Sequence, residues 1–203
     1  RYIKNPSEKL QLIALNFQEY DIDRIISFIK NPTKKVQLEA VEEDGSAIQS
    51  IENPDKDVQL AAVKSSVKAL QHIKDPDREV QLAAVSAHGS SIKFIKNPDR
   101  ELQIAAVKSD SIEVIQNIEN PDEEMCLLAV KQNGCSIQYI KNPTYEMKLA
   151  AVRSNGLVLS FIEKPNRLLK LEAVKQNCQV IRYIVDPDEE MQLEAVKVSG
   201  GMI

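Results

Sequence analysis

The chain has 203 residues, 28% of them charged, and a net charge of -4 at pH 7, which excludes a strong global attraction to nucleic acid or an anionic membrane. Aromatics are 4% and tryptophan is absent; a globular core of this length uses more, whereas stacked layers of Leu, Val, Ile and Ala need few. No stretch has the 18 consecutive apolar residues of a membrane span, no signal peptide is visible, and Cys126, Cys135 and Cys178 are odd in number without metal-like clustering, which points to a reducing, cytoplasmic setting.

Nine prolines punctuate the chain at Pro6, Pro32, Pro54, Pro76, Pro98, Pro121, Pro143, Pro165 and Pro187, with spacings of 26, 22, 22, 22, 23, 22, 22 and 22. A fixed period above about 20 residues is the signature of a solenoid. The residue after each proline is Ser7, Thr33, Asp55, Asp77, Asp99, Asp122, Thr144, Asn166 or Asp188. All nine are helix N-caps, because a short side-chain oxygen can accept an orphan N–H of the first turn. Acids such as Asp57, Glu79, Glu101, Glu124 and Glu190 follow in that turn, where the helix dipole favours them. The proline disfavours α geometry in the residue before it and so ends the preceding segment.

An apolar run comes next, for example Val58, Leu60, Ala61, Ala62 and Val63. It is too continuous for one narrow stripe and predicts a helix sandwiched between neighbouring repeats. A stop follows at Gly45, Gly89, Gly134, Gly156 and Gly200, where glycine is expected to take the left-handed conformation past the helix end. A second, shorter segment such as Ser91-Ile92-Lys93-Phe94-Ile95-Lys96 places Ile92 and Ile95 on one helical face. Within 22 residues there is room for one helix of about three turns and one of about two, the latter open to 3-10 geometry.

The expected fold is therefore all-α, a right-handed α-solenoid of about nine two-helix repeats in a single elongated domain, 1–203. Its repeats run 2–27, 28–49, 50–71, 72–93, 94–116, 117–138, 139–160, 161–182 and 183–203. The first is irregular, with four extra residues around Asn16-Phe17-Gln18-Glu19-Tyr20 that lengthen its helix or form a protruding turn. Val67 and Cys178 replace the stop glycine in the third and eighth, and the fifth has one extra residue near Ser109-Asp110-Ser111. The first residues, Arg1-Tyr2-Ile3, already belong to a second helix, and Gly201-Met202-Ile203 stop where the next would begin. Capping repeats carry a polar outer face, so the expectation is a fragment of a longer array.

At Asp75-Pro76-Asp77-Arg78-Glu79-Val80-Gln81-Leu82-Ala83-Ala84-Val85 the pattern resembles the first helix of leucine-rich variant and HEAT-like repeats, and Ala129-Val130-Lys131-Gln132-Asn133-Gly134 also resembles repeats in uncharacterised bacterial and phage proteins. The resemblance covers nearly the whole chain and implies a right-handed stack of α and 3-10 helices. It departs at Gln11, Gln37, Gln59, Gln81, Gln103 and Gln192, which stand where those families have arginine, and at Cys126, Lys148 and Lys170, which interrupt that series.

Four sets of residues are candidates for function. The pairs Asp55/Gln59, Asp77/Gln81, Asp99/Gln103 and Asp188/Gln192 are four apart, can meet on one helix face, and read as a structural ladder rather than catalytic carboxylates, since each acid serves as a cap. Lys64, Lys108, Lys131, Arg153, Lys175 and Lys197 form a basic edge, interrupted by Glu42 and Ser86, that complements helix C-termini or tracks a phosphate backbone. Tyr2, Phe28, Phe94, Tyr139, Phe161 and Tyr183 recur in the second helix, broken by Ser50, His72 and Asn117. They either pack between repeats or, with Lys96, Lys141 and Arg182, form a partner-binding ridge of hot-spot residue types. His72 and His88 lie in one repeat without a cysteine nearby, too few ligands for a metal site.

No nucleophile constellation, phosphate loop or dinucleotide fingerprint is present. The reading that follows is a non-enzymatic scaffold without cofactor or metal, binding a protein partner on a concave surface. Nucleic-acid binding along the basic edge is the alternative, which the acidic caps on the other edge oppose.

Overall fold

A computed structural model describes residues 6–15 and 21–199, and among these every regular element is helical, with α and 3-10 helices in tandem and no strand. Tyr2, the Asn16–Tyr20 insertion, Gly200 and the final residues lie outside the described residues. The chain divides into two compact units, Arg1–Ser109 and Asp110–Ile203.

The first unit contains α1 (Glu8–Leu15), α2 (Ile22–Ser27), α3 (Lys34–Glu43), η1 (Gly45–Ser50), α4 (Lys56–Ser65), η2 (Ala69–His72), α5 (Arg78–Ala87), η3 (Gly89–Phe94) and α6 (Arg100–Ser109), where η marks a 3-10 helix. The second contains α7 (Ser111–Ile115), α8 (Glu123–Gln132), η4 (Gly134–Tyr139), α9 (Tyr145–Ser154), η5 (Gly156–Phe161), α10 (Arg167–Gln176), η6 (Cys178–Tyr183) and α11 (Glu189–Ser199). Within each unit α-helices stack on α-helices, as α3 on α4 and α8 on α9, and 3-10 helices on 3-10 helices, as η1 on η2 and η4 on η5.

Ten residues make an α-helix of just under three turns. The predicted caps hold: the side chains of Thr33, Asp55, Asp77, Asp122, Thr144, Asn166 and Asp188 accept the N–H three residues on, as does Asp99 from Leu102 at 2.9 Å. A second set of caps escaped the sequence reading. Asp44, Asn133, Asn155 and Asn177, the last residues before the 3-10 helices, accept the N–H two residues on. Asp110 does the same for α7. One short polar side chain thus ends the α-helix and starts the next element without a linker.

The ten-residue α-helices α3–α6 and α8–α10 each bury a trio at positions i, i+4 and i+5, such as Val58, Ala62 and Val63 or Met147, Ala151 and Val152. Leu60 and Ala61 are half-buried, so the apolar run does meet neighbours on both sides. The 3-10 helices contribute Ile48, Leu70 and Ile92 to the first core, and Ile137, Leu159 and Val180 to the second.

Two expectations are corrected. Asp/Gln pairs do not form a ladder. Each glutamine Nε2 instead donates to the carbonyl of the proline five residues earlier, from Gln11, Gln37, Gln59, Gln81, Gln103 and Gln192 at 2.8–3.0 Å. The amide reaches back over its own first turn because the asparagine or aspartate before the proline turns the chain sharply. That residue is left-handed, with φ of 55° at Asn31, 50° at Asn53 and Asp75, 55° at Asn97 and 53° at Asp186. Asn and Asp tolerate this conformation. Lys164, at 48°, holds it without that advantage, at roughly 1 kcal/mol.

Three of the stop glycines, too, are not there for left-handed geometry. Gly45, Gly134 and Gly156 lie outside the left-handed region and open the 3-10 helices, and Cys178 opens η6 at the equivalent place. Glycine is required because a neighbouring backbone passes over it. A Cβ on Gly45 would lie 2.4 Å from the Ala62 carbonyl oxygen, and on Gly134 or Gly156 it would lie 2.6 Å from that of Ala151 or Ala173. The glycine amides are used as well: Gly45, Gly89 and Gly134 donate to the hydroxyls of Ser65, Ser109 and Ser154 at 3.1–3.2 Å, and Gly156 to Gln176 Oε1 at 2.6 Å. Where Val67 replaces glycine, the 3-10 helix starts two residues later and is only four residues long.

A ladder of ion pairs runs along the N-terminal ends of the α-helices. Lys34 reaches Asp55 (3.1 Å) and Asp57; Lys56 reaches Asp77 (3.1 Å) and Glu79 (2.5 Å). Arg78 reaches Asp99 (3.3 Å) and Glu101 (2.5 Å), and in the second unit Arg167 reaches Asp188 (2.7 Å) and Glu190 (2.6 Å). The first residue of α3, α4, α5 and α10 therefore clamps the cap of the next layer and the residue two after it. These side chains are about half exposed, so each pair contributes little and is screened by salt.

The caps make stability depend on pH. The Val58 N–H and then Lys34 hold the Asp55 carboxyl below the ordinary carboxylate range, the Val80 N–H and then Lys56 do so for Asp77, and the Met191 N–H does the same for Asp188. A carboxyl depressed by folding stabilises the fold above its unfolded pKa of about 4 and loses that contribution as the pH falls through the folded value. Melting temperature is therefore expected to be level from neutral pH down to about 5 and to fall below about 4. Circular-dichroism melts across that range check this.

Candidate binding surface

Phe94, Tyr139, Phe161 and Tyr183 are each the last residue of a 3-10 helix. The preceding apolar residue, Ile92, Ile137 or Leu159, points into the core. The chain then leaves the helix through an extended residue, Ile95, Ile140, Ile162 or Ile184, which turns the aromatic outward. In the second unit Tyr139, Phe161 and Tyr183 are 40%, 49% and 74% exposed, one on each of three consecutive contacting 3-10 helices. In the first unit Phe28 is 71% exposed, whereas Phe94 is half-buried with Lys93 Nζ 5.3 Å from its ring centroid. Lys96, Lys141 and Arg182 are all exposed. An aromatic position that serves only to pack layers would not leave three rings in contact with water at 22-residue intervals.

The basic edge is interleaved with acids. Arg153 Nε donates to Glu172 Oε2 at 2.9 Å, Lys175 lies 3.9 Å from Glu172 Oε1, and Lys197 donates to Glu194 Oε1 at 2.7 Å. Lys197 holds the Glu194 carboxyl below its ordinary range. Lys64 lines a shallow groove with Glu42 and Asp57, and Lys131 shares another with Glu146 and Arg153. Lys108 is exposed. The edge that would track phosphates thus alternates in sign. Nothing in the cation spacing alone revealed this; the signal was the acid three residues before the last two cations, Glu172 before Lys175 and Glu194 before Lys197.

His72 is exposed, hydrogen-bonded to Gln71, and His88 Nε2 lies 3.0 Å from the Lys64 carbonyl oxygen at the end of α4. Among the described residues no three His, Cys, Asp or Glu side chains gather as a metal set, and no helix is long and apolar enough to cross a membrane. The three cysteines are free thiols, Cys126 buried with its pKa raised by that burial.

Residues 122–167 match a family described as a domain of unknown function (DUF4116). The matched stretch runs from the cap of α8, through η4, α9 and η5, to the first residue of α10, two successive layers. No curated protein and no solved structure matches the chain.

Proposed function

We propose that the chain is a non-enzymatic, helical-repeat scaffold that binds a protein partner through its 3-10 edge. The observation that carries this reading is the row of exposed rings, Tyr139, Phe161 and Tyr183, on consecutive 3-10 helices. Exposed aromatics aligned by a rigid repeat are costly to leave in water and are the side chains that dominate protein interfaces. The α/3-10 alternation supports the likeness to leucine-rich variant repeats drawn from the sequence, and free thiols are in keeping with a reducing setting. Nucleic-acid binding is the weaker reading, since Glu172 and Glu194 neutralise part of the edge it requires.

The combined Tyr139→Ala, Phe161→Ala and Tyr183→Ala variant tests the proposal. Partners captured by the wild-type chain should be retained about tenfold less or worse, with helicity and cooperative melting preserved. Unchanged capture, or loss of capture only together with unfolding, would assign these rings to structure.

A further inference from the structure

A groove of about 570 Å³ opens in the second unit between the turn that precedes α8 and the turn that precedes α9. Its apolar lining includes Ile118, Pro121, Cys126, Tyr139, Ile140 and Met147. Three departures from the repeat coincide there. Cys126 stands where other layers have glutamine; its sulfur is 3.8 Å from the Pro121 carbonyl oxygen, so the long amide that elsewhere spans this space is missing. Glu123 stands where Lys34, Lys56, Arg78 and Arg167 clamp the next layer, and it faces a layer that begins Thr144-Tyr145-Glu146, so no clamp can form. The unit that enters the groove is one residue longer, and its second helix, α7, is α rather than 3-10. The first two changes each remove something that closes the joint in other layers.

The rim is acidic. Glu119 and Glu123 line it against a single cation, Lys141, and among the described residues no salt bridge reaches either glutamate. Asp122 and Glu124 belong to the same first turn of α8, and Glu146 to that of α9. The volume falls in the range of clefts that hold ligand side chains. An acidic rim over an apolar floor selects an apolar group flanked by positive charge.

We propose that this groove takes an extended segment of a partner protein in which an apolar side chain is flanked by lysine or arginine. The inference rests on the protein-binding reading above and names the chemistry of the segment bound. Tyr139 belongs to both the exposed row and the groove wall, which makes the two surfaces continuous. The apolar side chain enters between Ile118 and Met147, and its basic neighbours meet Glu119 and Glu123.

The test uses two short, blocked, fluorescein-labelled peptides, one alternating leucine with arginine and one alternating leucine with glutamate, followed by anisotropy at physiological salt. The arginine peptide should bind about tenfold or more tightly than the glutamate peptide. Cys126→Gln restores the amide found in six other layers and refills the floor without changing charge; it should weaken that binding about tenfold. Glu119→Gln with Glu123→Gln, both at exposed positions, should abolish the preference between peptides. Phe161→Ala with Tyr183→Ala, outside the groove, should leave peptide binding unchanged. Absence of binding, preference for the glutamate peptide, or binding that Cys126→Gln does not alter would overturn the proposal, the last because the net negative charge alone would then attract the peptide. If Cys126→Gln unfolds the chain, the paired glutamate variant decides alone. Loss of partner capture in the aromatic variant with no peptide binding would remove the groove and leave the scaffold. Peptide binding with capture unaffected by the aromatic variant would do the reverse.

Discussion

Gly45→Ala is expected to lower the unfolding free energy by about 3 kcal/mol, at the upper end of what one added methyl costs in a packed interior. The new Cβ would lie 2.4 Å from the Ala62 carbonyl oxygen, 2.7 Å from Ser66 Cβ and 2.8 Å from Ser66 N. Two of those atoms are backbone, held by the α4 helix and its last hydrogen bond, Ser66 N–H to Ala62 O at 2.9 Å. Relief requires that η1 and α4 separate, which would also stretch the Gly45 N–H bond to Ser65 Oγ. Gly134→Ala should cost somewhat less, since its nearest contact is 2.6 Å and the next two are at 3.3 Å. Ser65→Ala, which removes only the hydroxyl, should cost about 1 kcal/mol. Urea unfolding followed by circular dichroism orders the three. A Gly45→Ala variant within about 1 kcal/mol of the parent would mean the layers can part freely.

Local features of this fold were readable from the chain. Proline followed by Asp, Thr or Asn marks the α-helix starts, and the caps accept the predicted N–H groups. Helix lengths and the 3-10 option followed from the room that 22 residues leave. One misreading involves partners about 20 residues away. The glycine stops look the same in sequence whether they supply a left-handed turn or make room for Ala62, Ala151 and Ala173, and only stacking distinguishes the two. The glutamines were paired with the acids four residues earlier because helical spacing allows it. The left-handed turn at the preceding Asn or Asp instead brings the proline carbonyl within reach, and a carbonyl leaves no mark in a side-chain pattern.

The clamp from Lys34, Lys56, Arg78 and Arg167 to acids 21 and 23 residues on was legible in principle, since cation and acid recur with the period. It was missed because the acids already had an explanation in the helix dipole. The candidate site was legible in position but not in exposure. Tyr139 and Phe94 occupy the same place in their repeats, yet one is open and the other half-buried beneath its neighbours.

Interchangeable layers, each joined only to its neighbours, underlie all of these contacts, and excising one whole period tests that directly. Removing residues 144–165 joins Pro143 to Asn166, which restores a proline followed by a cap. Gly134 would then meet Ala173 and Gln176, the partners that Gly156 already uses. Removing only residues 145–155 instead breaks the register, leaving the cap Thr144 directly before Gly156 with no α-helix between them. Far-ultraviolet circular dichroism during thermal unfolding should find the first deletion as helical per residue as the parent, with a cooperative melt, and the second largely unfolded or much less stable. Equal collapse of both would contradict a stack of equivalent layers.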